Sequence, residues 1–295
     1  MKNTQNLLAD FNESTYLQLN PDVLEAVQRG GFSSGWEHYI LHGLNENRPG
    51  KPNKISKKVK LLLENNTPLP SPPPNLRVRV HGDEDLANFN KIGKVVSLDI
   101  ELAIQSAAIQ LDDHCSIFDF GCGCGRVLRW FHRLYENSNF YGTDIDNEAI
   151  SWCRENISHI GNFSCNELYP PLPFKNEFFD FVYCISIFTH LPEDMQFVWL
   201  EELQRITKKD SFLFLTVHGE ELFPKSLRDI KKKFEENGFY YFIGDGTKGL
   251  PSFYQTSFHT EKYIRNQWSK FFEIKKIIRR GIANRQDLIL CVRVK

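Results

Sequence analysis

Asp119-Phe120-Gly121-Cys122-Gly123-Cys124-Gly125 closes a short apolar run, and Asp144 closes a second one at Tyr141-Gly142-Thr143. Glycines at this spacing leave backbone amides bare and let the chain turn into a helix, whose N-terminus attracts polar and anionic groups. A carboxylate at the end of the next strand accepts hydrogen bonds from both hydroxyls of a ribose. These types and spacings point to a nucleotide-like cofactor, although a plain strand-to-helix connection also uses glycine. The dinucleotide fingerprint is G-x-G-x-x-G, whereas here Arg126 stands where the third glycine belongs. That departure counts against a dinucleotide-dependent oxidoreductase.

Such a turn needs a sheet to hold it, and the flanking sequence supplies one. Residues 97–110 read as a helix leading to the strand that ends at Phe120. Asn162 to Glu167 reads as a third strand, Tyr169 to Phe174 as a proline-stiffened loop, and Phe178 to Leu191 as a fourth strand with its turn. Asp194 to Ile206 has helical spacing, and Phe212 to Gly219 reads as a fifth strand. Strands alternating with helices imply a parallel sheet. Over residues 97–219, order, spacing and residue type resemble the class I S-adenosylmethionine (SAM)-dependent methyltransferases. The resemblance implies an α/β, doubly wound, Rossmann-like sheet, mostly parallel with an antiparallel last strand, and SAM as cofactor. It implies that Asp119, Phe120, Gly121, Cys122, Gly123 and Gly125 surround the methionine end. Asp144 would hold the ribose, Ile145 pack on the adenine, Asn166 or Glu167 bond its amino group, and Ser186 complete the set.

Composition narrows the partners. The chain has 295 residues, 41% hydrophobic and 13% aromatic, enough for a packed core, and a net charge of −1. That charge gives no global attraction for nucleic acid or for an anionic membrane. Basic runs at Lys51–Lys60, Lys231–Lys233 and Lys275–Arg280 read as solvated surface. Seven cysteines, two of them in the glycine turn, do not form a disulfide framework. Reduced thiols and a cytoplasmic location are expected. Cys115, Cys122 and Cys124 lack a fourth ligand at a zinc spacing, so no metal is expected. Neither a signal peptide nor an apolar run long enough for a membrane span is present.

Residues 1–50 read as a small helical module. Asn20-Pro21 should start one helix that Gly30-Gly31 ends, Ser33 or Ser34 should cap the next, and Tyr16, Trp36, Tyr39, Ile40 and Leu44 should form its mini-core. It resembles a module attached to diverse bacterial enzymes, often near glycosyltransferases, and implies docking or a protein partner. Residues 51–75 read as a Lys/Pro-rich linker, and 76–295 as the methyltransferase domain. Asn75 to Asp83 alternates charged and apolar residues, which predicts an edge strand; alternatively Arg77 or Arg79 folds back to pair with the carboxylate of SAM or of an acidic acceptor. After the fifth strand come a helix over Leu227–Asn237, an aromatic insertion over Phe239–Phe258, a helix over Glu261–Lys270 and a closing hairpin.

Methyl transfer from a sulfonium chiefly requires alignment, with a base where the acceptor is a hydroxyl. The Asp/Asn-Pro-Pro-Tyr sequence of the related amide and exocyclic-amine methyltransferases is absent; Ser186-Ile187-Phe188-Thr189-His190 stands there. The expected reaction is therefore metal-free O-methylation of a sugar, glycan or related natural-product hydroxyl. A small-molecule N-methyltransferase and a catalytically silent SAM-binding scaffold are the alternatives. His218, His190 and His259 are the candidate bases, in that order, and Tyr254 and Gln255 candidate acceptor contacts.

Overall fold

The computed structural model describes residues 5–6, 11–32, 34–43, 46–52, 62, 69–244 and 251–294. One short antiparallel pair, β1 (Gln5–Asn6) with β2 (Phe11–Asn12), precedes the main sheet. The sheet is built from β3 (Ser116–Phe120), β4 (Asn139–Asp144), β5 (Asn162–Cys165), β6 (Phe179–Cys184) and β7 (Thr207–Val217). A two-stranded hairpin, β8 (Phe239–Phe242) and β9 (Thr256–His259), stands apart, and β10 (Glu273–Ile282) and β11 (Gln286–Val292) close the sheet. Its order is β10-β11-β7-β6-β3-β4-β5; β5 to β7 are mutually parallel through β4, β3 and β6, β11 runs antiparallel to β7, and β10 runs antiparallel to β11. The expected reversed last strand is present.

Side chains alternate across a strand, and two cores result. Phe118, Phe120, Val182, Cys184, Leu213 and Leu215 pack on one face with the helix Glu193–Ile206. Ile117, Phe181, Tyr183 and Phe214 face the other way, toward the helices Leu86–Ser106 and Leu128–Phe131. Burying each large apolar side chain contributes about 1.5–3 kcal/mol.

Helix Leu86–Ser106 is longer than the stretch expected from sequence and starts where Asp85 Oδ1 accepts from Asn88 N at 2.8 Å. The apolar cluster that contains its Val96, Leu98 and Ile100 also contains Tyr16, Tyr39 and Ile40 of the N-terminal segment. In that segment Ser34 Oγ accepts from Glu37 N at 3.0 Å, as a cap should. Asn20 stands at the N-cap of helix Pro21–Gln28, with Pro21 following, but its side chain makes no capping bond: its amide donates to Tyr16 O at 2.8 Å and Pro49 O at 3.0 Å. The expectations for Ser33 and Leu44, and most of 51–68, lie outside the described residues.

The edge strand expected at 75–83 is instead a helix, Pro74–His81. Pro74 sits in its first turn and Gly82, at φ +84°, terminates it, a pairing that overrides the two-residue alternation. The apolar positions Leu76 and Val80, four apart, share one face. Leu76 is buried, and Val80 packs beside it over the glycine turn.

Candidate active site

Gly121 and Gly123 adopt φ of +78° and +52°, a left-handed backbone that side chains resist. A Cβ on the first would run into Ile187 Cδ1, and one on the second into Val80 Cγ2. The turn is therefore closed in from both sides, by the loop after β6 and by helix Pro74–His81. Its backbone is held by Gly121 N and Cys122 N, which donate to Thr143 O at 2.8 and 3.0 Å.

A cavity with about 110 Å³ of enclosed volume lies at the carboxyl edge of β3, β4 and β6. Phe120, Gly121, Gly123, Asp144, Ile145, Asn166 and Ser186 line it, together with Arg79 and Tyr254. Asp144 Oδ2 accepts from Gly123 N at 2.7 Å and Oδ1 from Asp146 N at 2.9 Å. Each oxygen keeps a lone pair for a further donor, as a ribose diol requires. Burial pushes the Asp144 carboxyl above the usual carboxylate range, an effect these amides partly offset. Asn166 Oδ1 has no partner, and its amide nitrogen donates to Glu167 O at 2.8 Å. It is thus an acceptor available to an exocyclic amine. The side-chain-free turn, the carboxylate with lone pairs to spare and the unpartnered amide oxygen are groups that could hold the three parts of SAM.

Four residues assigned to the cofactor from sequence do not line this cavity. Asp119 is buried between its register partners Gly142 and Tyr183, and burial raises its carboxyl to about 8. Cys122 packs against Gly142, where a Cβ would meet its Sγ, and Gly125 packs against Ile157. Glu167 is exposed.

Ser186 joins β6 to the turn that carries His190, with φ +63°. Such a value in a serine costs about 1–2 kcal/mol and is fixed by three elements. Thr216 Oγ1 accepts from Ser186 N at 2.8 Å, Gln286 Nε2 donates to Ser186 Oγ at 2.6 Å, and Tyr254 OH donates to Ser186 O at 3.1 Å. Hairpin β8–β9 is strapped to the same turn by Ser257 N donating to Thr189 O at 2.7 Å.

The three histidines separate clearly. His190 stacks on Tyr254, ring centroids 4.1 Å apart, and its Nδ1 lies 2.5 Å from Gln255 O. It lines a second, larger cavity that shares Arg79, Val80, Arg126, Ile185, Ser186 and Tyr254 with the first. His218, the first choice from sequence, lines neither cavity, and burial lowers its pKa to about 4. His259 is fully buried among Phe239, Tyr263 and Trp268; its Nε2 donates to Gln196 Oε1 at 2.8 Å, and burial lowers its pKa to about 3. It is a core residue.

The acceptor candidates divide too. Arg79 lines the cavity and pairs with Asp146 at 3.1 Å and Glu148 at 2.6 Å. Arg77 turns away, donating to Glu84 O at 2.7 Å and Pro72 O at 2.5 Å. Gln255 is used within the hairpin loop, where its Oε1 accepts from Gly244 N at 2.9 Å, and it lines neither cavity. Arg126 and Gln286 line the second cavity and were not expected there. Only the position of Arg126 directly after the turn could have signalled it; Gln286 comes from a distant hairpin.

Comparison with known proteins agrees with this geometry. Residues 118–215 match the family described as a methyltransferase domain. A SAM-dependent methyltransferase structure from Clostridium acetobutylicum aligns over 75% of this chain and 97% of its own at 12% identity, TM-score 0.50. One from Methanosarcina mazei aligns over 64% and 97% at 20% identity, TM-score 0.49. Magnesium protoporphyrin IX methyltransferase from Synechocystis, with bound S-adenosylhomocysteine, aligns over 74% and 93% at 20% identity, TM-score 0.49. At 12% identity the Clostridium structure speaks for the fold alone. No helix among the described residues is long and apolar enough to cross a membrane. Residues 118–215, which run from β3 through most of β7, thus carry a methyltransferase domain of the SAM-dependent, Rossmann-like type.

Proposed function

We propose that this chain methylates a hydroxyl of a small polar acceptor, of the saccharide or related natural-product class, without a metal and with His190 as general base. The observation that carries this reading is the Nδ1–Gln255 O contact of 2.5 Å. A carbonyl can only accept, so the proton sits on Nδ1 and the neutral ring offers Nε2 as its basic nitrogen. Burial keeps the His190 pKa below the usual imidazole range, so the ring is neutral at pH 7. The stack on Tyr254 holds its plane.

When bound, SAM supplies a methyl group already activated by its sulfonium. Asp144 orients the ribose, Asn166 accepts from the adenine amine, and the glycine turn, bare of side chains, lets the methionine end lie close against its backbone. Phe253, Leu191, Met195 and Trp199 give the cavity an apolar wall that excludes water. His190 takes the proton of the acceptor hydroxyl as its oxygen attacks; such positioned bases contribute about 10²–10⁴ in rate. The reading keeps residues 1–50 as a helical module, 51–75 as a linker and 76–295 as the catalytic domain. Seven unbridged cysteines support a reducing, cytoplasmic setting.

The test is transfer of radiolabelled methyl from SAM across paired hydroxyl and amine acceptors, with His190→Gln as control. O-methylation that His190→Gln abolishes supports the reading. Amine methylation that survives the substitution overturns it.

A further inference from the structure

The second cavity, about 1700 Å³ with its open mouth, is walled by parts of the chain that meet only in the fold. Phe32 and Glu37 come from the N-terminal segment, His81 from the end of helix Pro74–His81, Lys91 from helix Leu86–Ser106, and Gln286 from the β10–β11 turn. Arg126 lines both this cavity and the cofactor cavity, and His190 lines this one.

Its charges do not balance. Arg79 is engaged by two carboxylates, and Lys91 lies 3.7 Å from Glu37 and over the Phe32 ring. Asp83 accepts from Asn88 Nδ2 at 2.9 Å and also from Asp85 N. Arg126 has no carboxylate in ion-pair reach among the described residues; its guanidinium lies 3.2 Å from His81 Nδ1. Arg285, exposed at the rim, has none either among those residues. A guanidinium donates and never accepts, so His81 Nδ1 is the acceptor and its proton sits on Nε2. That Nε2, Arg126 Nε and Gln286 Oε1 are buried without partners. Each such atom costs about 1–3 kcal/mol, and a half-buried guanidinium without a counter-charge adds to that.

We infer that this second cavity is the acceptor site, that Arg126 and His81 hold an anionic group of the acceptor there, and that the N-terminal module forms its outer wall. The acceptor is then a hydroxylated carboxylate or phosphate: the hydroxyl faces His190 and the charge faces Arg126, with Lys91 and Arg285 drawing the anion in from the rim. This rests on the methyl-transfer reading, and gives the module a part in acceptor choice beyond attachment.

The test is calorimetric titration of the full chain loaded with S-adenosylhomocysteine, using glucose, glucuronate and glucose 6-phosphate, and phenol and 4-hydroxybenzoate. In at least one set the charged member should bind tenfold or more tighter than its neutral counterpart, and the sugar pair tells carboxylate from phosphate. His81→Leu and, across the cavity, Lys91→Met should each reduce that preference several-fold while leaving S-adenosylhomocysteine affinity unchanged. Equal binding of charged and neutral probes, no binding in either set, or a preference that survives both substitutions would overturn the inference. Loss of S-adenosylhomocysteine affinity in a folded His81→Leu protein would assign the pair to the carboxylate of the cofactor instead, and also overturn it. Failure of the unsubstituted chain to bind S-adenosylhomocysteine would strike the methyl-transfer reading itself.

Discussion

The cofactor cavity and the chamber behind it are built in opposite ways. The first comes mainly from consecutive strands and turns of one parallel sheet, and its glycine turn is fixed through the backbone, by Gly121 N and Cys122 N on Thr143 O. The second is assembled from the N-terminal segment, two helices and a hairpin turn, and its polar wall is side chain. A site made of backbone tolerates little change in residue size but much in residue type. One made of converging side chains can be retuned by single substitutions while the sheet stays intact. Donor binding and acceptor choice are therefore separable.

The largest effect should come from filling the backbone-built site. Gly121→Val places a Cβ against Ile187 at φ +78°. We expect about 2–5 kcal/mol of lost stability from the strained backbone and the overpacking together, read by thermal unfolding, and no S-adenosylhomocysteine binding by calorimetry. Retained affinity would mean that the turn is looser than described.

His190→Ala should lower turnover about 10²–10⁴-fold with cofactor affinity kept, which sharpens the division between the two cavities. Because burial lowers the His190 pKa, the acid limb of kcat/KM should fall below the usual imidazole value of about 6.5. An acid limb above that value would point to a different base. His218→Ala, by contrast, should leave turnover within a few-fold of the parent, since the residue faces neither cavity.

Asp144→Asn keeps the shape of the side chain but removes the charge. The loss of charge-assisted bonds to a diol should weaken S-adenosylhomocysteine by about 1.5–3 kcal/mol, tenfold or more. The smallest effect concerns stability alone. His259 is neutral in the folded chain, with its pKa near 3, and ionises at about 6.5 when unfolded. Its contribution is complete above pH 6.5 and is lost as pH falls toward 3, with a slope of at most about 1.4 kcal/mol per unit. Denaturant titrations across that range, compared with His259→Phe, measure it.

The same contrast explains what could be read in the sequence. The parallel strands, the reversed final hairpin and the helix ending at Gly238 follow from local periodicity and turn residues, and each is found in the fold. Phe120, Gly121, Gly123, Asp144, Ile145, Asn166 and Ser186 were assigned to the cofactor from motifs, and all line the first cavity. Asp119 was assigned with them, but the alternation of its strand buries it beneath the wall. Helix Pro74–His81 was misread because Leu76, Val78 and Val80 mimic a two-residue period; the deciding signals were Pro74 and Gly82 at its ends. Ranking the histidines needed tertiary information. His218 and His259 lie in and beside strands at the sheet edge, as sequence order suggests, yet their rings point into the packing between hairpin and sheet. Arg126, His81 and Gln286 come together only when three distant segments meet.

Calorimetric titration with S-adenosylhomocysteine of the parent, Asp144→Asn and His190→Gln tests the separation of the two cavities most directly. The account predicts micromolar binding for the parent, the same affinity for His190→Gln, and binding weakened tenfold or more for Asp144→Asn. Unchanged affinity in Asp144→Asn, or its loss in a folded His190→Gln protein, would contradict it.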